Sequence, residues 1–116
     1  LKNSSREKVS SVERAKQLLE KIVNTYPDRV KKMSINTDGE TIEGIWVKGI
    51  LREYFVFVGN QGNVLVYSYN NGKLGDYKCI VDVGRGRDLN PYDRLIARIY
   101  WLLNDKYVTN KVHTLR

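Results

Sequence analysis

Thr37-Asp38-Gly39-Glu40 separates two stretches of alternating side chains, Val30 to Asn36 and Thr41 to Leu51. Asp-Gly tolerates the positive φ angles that a type I′ loop requires at both central positions, and such loops match the right-handed twist of paired strands. The four residues therefore predict a β-hairpin. Two more turn signals follow. Gly59-Asn60-Gln61-Gly62 leads from the apolar run Tyr54 to Val58 into Val64 to Tyr69, and Asn70-Asn71-Gly72-Lys73 leads on to Tyr77 to Val83. About five short strands joined by tight turns predict an antiparallel meander.

All nine glycines fall between Gly39 and Gly86, and both prolines, Pro27 and Pro91, lie outside that window. Before it, Val12, Ala15, Leu19, Ile22 and Tyr26 recur at helical spacing, with Leu18 and Val23 widening the stripe. Ser10 with Glu13 forms a capping-box start, Ser4 with Glu7 offers an earlier one, and Pro27 marks the stop. After the window, Asn90 suits an N-cap, Pro91 the first helical position and Asp93 the first turn. Tyr92, Leu95, Ile96, Ile99, Leu102 and Leu103 then share one face, which predicts a helix from about Pro91 to Lys106.

The fold class expected is α+β: an N-terminal helix, a meander of about five strands and a C-terminal helix in a two-layer sandwich. The chain of 116 residues suits one domain, 1–116, with 1–9 and 107–116 as flexible arms or, for Tyr107 to Leu115, a last edge strand. The helix, sheet and helix order is loosely similar to that of double-stranded RNA-binding domains. It departs from them in its extra strands and in having no lysine-rich motif at the last helix, and no residues are carried over. Tyr54-Phe55-Val56-Phe57-Val58 lacks the polar face of a strand buried on one side. Either helices cover both of its sides, or a second subunit covers one of them, which makes a homodimer an expectation.

The formal charge of +7 favours a polyanionic partner. It is carried by the ends, with +5 in residues 1–33, −2 in 34–84 and +4 in 85–116. Cys79 is the only cysteine, so no internal disulfide forms, and an intracellular, cytoplasmic compartment is favoured. Its alternation with Tyr77 and Val81 reads as a buried strand cysteine. His113 is the only histidine, which disfavours histidine zinc sites and Ser-His-Asp or Cys-His catalysis. No apolar run suggests a membrane span or a signal peptide, so no membrane is expected among the partners.

Four constellations remain. Gly84-Arg85-Gly86-Arg87, between the last strand and the last helix, offers backbone N–H groups and two guanidiniums to an anion, while Asp88 and Asp93 weaken the local field. It lacks the GxxxxGK[ST] pattern and the third glycine of a dinucleotide fingerprint. Arg94, Arg98, Trp101 and Asp105 follow i, i+4, i+7, i+11 spacing on the polar side of the last helix. That stripe reads as an interface or, for Trp101, as part of the core. Leu65, Tyr67 and Tyr69 share a sheet face, with Tyr54, Phe55, Phe57 and Tyr77 near them, an arrangement able to stack bases or simply to pack. Asp76-Tyr77-Lys78 matches the acid-x-Lys element of metal-dependent nucleases, with Glu20, Glu40, Glu43 or Glu53 as a further ligand.

The function expected first is non-enzymatic nucleic-acid binding, to DNA or RNA, through phosphate contacts with little sequence selectivity. Gly84, Arg85, Gly86, Arg87, Arg94, Arg98 and Trp101 would form the surface. The alternative is a homo-oligomeric protein-interaction or assembly module without nucleic acid, and a metal-dependent nuclease comes third. No catalytic residue, metal ligand or cofactor is assigned.

Overall fold

A computed structural model describes residues 11–60, 62–81 and 91–106. Helix α1 (Ser11–Thr25) is followed by five strands, β1 (Val30–Thr37), β2 (Glu40–Lys48), β3 (Glu53–Val58), β4 (Val64–Asn70) and β5 (Lys73–Val81), and then by helix α2 (Pro91–Leu103). The strands form one sheet in the order β1-β2-β3-β4-β5, and every neighbouring pair is antiparallel. This is the α+β meander expected. Two of its turns use the predicted chemistry: Asp38 and Gly39 have φ of 52° and 79°, and Asn71 and Gly72 have 53° and 83°. Positive φ at both central positions is the type I′ geometry. The helix caps expected at Ser10 and Asn90 lie outside the described residues.

Both helices lie on one face of the sheet. Ala15, Leu19 and Ile22 of α1 and Leu95, Ile99, Leu102 and Leu103 of α2 close over Val30, Ile45, Val47, Tyr54, Val56, Val64 and Val66. The register makes this one layer, because Val30, Val47 and Tyr54 are neighbours across three strands and Ile45, Val56 and Val66 across the next row. Of the two arrangements expected for Tyr54 to Val58, helices on both sides is not the one the described residues adopt.

The C-terminal end of α2 is fastened to the sheet by two side chains. Asp105, in a left-handed conformation with φ 60°, accepts from the Tyr54 hydroxyl and from the backbone N–H of Leu51, both at 2.8 Å. Arg29 donates through Nε to the Lys48 carbonyl at 3.1 Å and through Nη2 to the Leu103 carbonyl. Burial, and then the Asp105 hydrogen bond, pushes the Tyr54 phenol well above the ordinary tyrosine range. The phenol thus stays a proton donor, as the carboxylate requires. On the surface, Glu20 and Lys32 pair at 2.6 Å, which lowers the carboxyl and raises the ammonium.

Three expectations are corrected. The second strand was expected to reach Leu51 but stops at Lys48, and the chain then closes a turn in which Gly49 N–H donates to the Arg52 carbonyl at 2.7 Å. The last helix ends at Leu103 rather than near Lys106, because the chain leaves helical geometry to place Asp105. Cys79 is exposed rather than buried. In β5, Val81 pairs with Val64 and Cys79 with Leu65, so Ile80 is an extra residue that breaks the alternation. Val81 therefore turns to the core and Cys79 to the opposite face.

Candidate functional site

The face of the sheet away from the helices is as apolar as the face beneath them. Its residues follow from the register: Met33 and Ile35 on β1, Ile42, Gly44 and Trp46 on β2, Phe55 and Phe57 on β3, Leu65, Tyr67 and Tyr69 on β4, and Leu74, Tyr77 and Cys79 on β5. No charged side chain interrupts this set. Charge is confined to the strand ends, with Lys31, Lys48 and Glu53 at one end and Glu40 at the other. Glu53 there accepts from Trp46 Nε1 at 2.8 Å, which satisfies the indole and fixes its ring.

Aromatic rings form a row across three strands. Phe55 and Phe57 stack at 5.7 Å with 21° between planes, Phe57 and Tyr67 at 5.7 Å with 10°, and Tyr67 meets Tyr77 at 5.3 Å, tilted by 52°. Phe55 is fully buried although no described helix covers it. Its ring lies over Gly44, where a Cβ would stand 3.0 Å from Phe55 Cζ. Tyr77, at the end of the row, is 60% exposed. Within such a row the inner ring faces are turned to one another, and a partner meets ring edges, hydroxyls and the exposed ring of Tyr77.

The residues predicted for an anion site are placed unevenly. Gly84, Arg85, Gly86 and Arg87 lie outside the described residues. Arg94 is exposed on α2. Arg98 is half-buried, donates from Nε to the Ile80 carbonyl at 3.3 Å, and sets its guanidinium 4.5 Å from the Trp101 ring centroid. Trp101 itself is partly buried against the core. The β5 bulge leaves the Ile80 carbonyl outside the regular ladder, which supplies Arg98 with its acceptor. Asp105 leaves the stripe altogether for Tyr54 and Leu51.

Of the strand aromatics, Phe55, Phe57 and Tyr77 join Leu65, Tyr67 and Tyr69 on the helix-free face, whereas Tyr54 faces α2. Among the described residues no three His, Cys, Asp or Glu side chains lie close enough to hold a metal ion, so the acid-x-Lys element on β5 does not meet Glu20, Glu40, Glu43 or Glu53 in such a cluster. A cleft of about 350 Å³ between α1 and the β1–β2 hairpin is open, and the Glu20–Lys32 pair stands in its wall.

Sequence reasoning assigned no role to Ile42, Gly44 and Trp46. Their signal was present: from Ile42 to Val47, apolar side chains occupy both parities of β2, as they do in Tyr54 to Val58. No helix among the described residues is long and apolar enough to cross a membrane. No family model, curated protein or solved structure matches the chain. What is defined is thus a class by architecture, a five-stranded meander with two helices on one face and an uncharged aromatic face on the other.

Proposed function

We propose that this domain is an assembly module that pairs with a second copy of itself through the helix-free face of its sheet. The observation that carries the reading is the uncharged face with its row of rings from Phe55 to Tyr77. Interface cores are depleted of charge and enriched in aromatic residues, and contiguous apolar surface marks contact sites. Base stacking fits less well, because it needs open ring faces and those of Phe55, Phe57 and Tyr67 are turned to their neighbours, which leaves Tyr77 alone at the end of the row. A second copy fits well. When two such faces meet with strands antiparallel, the Lys31 end of one lies over the Glu40 end of the other.

Sedimentation velocity tests this. The wild-type chain is expected to sediment as a dimer at micromolar concentration, and Tyr77→Lys as a folded monomer, since it buries a like charge on each side of the two-fold contact. Tyr77 is exposed in the single chain, so the substitution leaves the fold intact. A monomeric wild type, or a variant that dimerises equally well, overturns the reading.

A second reading, binding to the nucleic-acid backbone, is supported by the net charge of +7 and by exposed Arg14, Lys16, Lys21 and Arg94 on the helix layer. Pairing through the sheet would leave both helix layers outward, so the two readings are compatible. Gly84, Arg85, Gly86 and Arg87 would join this surface, and Arg98 and Trp101 would stiffen its floor. Affinity would fall steeply with salt, and absence of binding to DNA and RNA at low ionic strength ends this reading. The single cysteine favours action in the cytoplasm.

A further inference from the structure

The turn between β2 and β3 carries Ile50 and Leu51, which are 63% and 87% exposed. Turn tips favour Gly, Asn, Asp, Ser and Pro, each for a conformational reason, and two adjacent aliphatic side chains serve none of these. The turn is nevertheless held firmly. Gly49 N–H donates to Arg52 O at 2.7 Å, Leu51 N–H to Asp105 Oδ2 at 2.8 Å, and Lys48 N–H to Arg29 O at 2.8 Å. Gly49 leaves room for the clasp, since a Cβ there would overlap the Asp105 carboxylate. The two side chains are thus displayed on rigid backbone, and docking them costs little loop ordering.

The chemistry beside the tip selects the partner. Lys48 and Arg52 flank it, and both are exposed. Lys106, also exposed, follows the Asp105 that anchors the turn. Asp105 accepts from Tyr54 and Leu51 and Glu53 from Trp46, all neutral donors, so both keep their charge, and Lys48, Arg52 and Lys106 outnumber them. Protein hot spots favour Trp, Tyr and Arg, with Leu under-represented. Aliphatic side chains between cations suit instead a layer whose surface is anionic and whose interior is hydrocarbon.

We infer that Ile50 and Leu51, with Lys48, Arg52 and Lys106 around them, form a contact tip for the surface of an anionic lipid bilayer. This is surface insertion of a turn rather than a span, and it revises the expectation that no membrane is among the partners. The tip projects from the strand ends, so it does not depend on pairing through the sheet face.

Co-sedimentation with vesicles tests the inference. The full chain is expected to pellet with phosphatidylcholine vesicles containing phosphatidylserine, less so in high salt, and to stay in solution with phosphatidylcholine alone. Ile50→Ser with Leu51→Ser is expected to lower partitioning by roughly tenfold or more, the removed apolar surface being worth at least that factor. Circular dichroism unchanged from wild type would show that both exposed positions tolerate the change. A wild-type chain that stays in solution with the anionic vesicles, one that pellets equally with neutral ones, or a double variant that partitions like wild type overturns the inference.

Discussion

Asp105→Ala is expected to cost about 2–4 kcal/mol of folding stability, a large part of the roughly 5–15 kcal/mol that holds a domain of this size. The carboxylate accepts two hydrogen bonds, one from a buried hydroxyl that has no substitute and one from a turn N–H that water can reach. Tyr54 is 1% exposed, so removing its acceptor strands a buried hydroxyl. The Leu51 N–H loses the acceptor that ties the β2–β3 turn to the end of α2. Asp105 also sits at φ 60°, a conformation that Asp and Asn visit more readily than Ala. Urea denaturation followed by circular dichroism measures the loss as a lower midpoint. Asp105→Asn keeps an acceptor oxygen and a left-handed preference, so it should retain most of the stability. A midpoint for Asp105→Ala within experimental error of wild type would show that the clasp is ornamental.

Gly44→Ala is the second large effect, at about 3 kcal/mol, near the upper end for overpacking. A Cβ on Gly44 would overlap the Val56 carbonyl oxygen and stand 2.9 Å from Phe57 Cβ. Backbone cannot move aside as a flexible side-chain end can, so β2 and β3 must separate or the Phe55 ring must leave its seat. Either outcome disturbs the aromatic row as well as the fold. Thermal unfolding should register the loss, and near-ultraviolet circular dichroism should show altered aromatic packing in the folded variant. An alanine variant with wild-type melting and an unchanged aromatic spectrum would refute this account of the face.

Much of the fold was legible because its causes are local. Asp38-Gly39 and Asn71-Gly72 carry their turn geometry in their own residue types, and the stripes Ala15-Leu19-Ile22 and Leu95-Ile99-Leu102 carry their burial in their spacing. What was not legible depends on distant residues. The β2–β3 turn has no Asn-Gly or Asp-Gly signature, and its shape is fixed by Asp105, 54 positions from Leu51. Cys79 looked buried because alternation was counted through Ile80, and only pairing with β4 reveals the extra residue. The same bulge explains why Arg98 turns toward Ile80 instead of joining Arg94 in an open stripe.

The candidate face was legible in part. Leu65, Tyr67 and Tyr69 declared a shared side by simple alternation, whereas the exclusion of Tyr54 required its register against Val47 and Ser68. Gly44 was invisible as part of a surface because its contribution is the absence of a side chain.

The clasp also has a consequence for the order in which the molecule assembles. Each strand pairs with its neighbour in sequence, so the sheet can zip through short loop closures. Arg29 to Leu103 and Tyr54 to Asp105 join positions 74 and 51 apart, and they form only when the final helix arrives. The clasp is therefore a latch rather than a nucleus. It governs how slowly the native domain opens far more than how quickly it forms, and the rate penalty of Asp105→Ala belongs to the unfolding arm of its chevron.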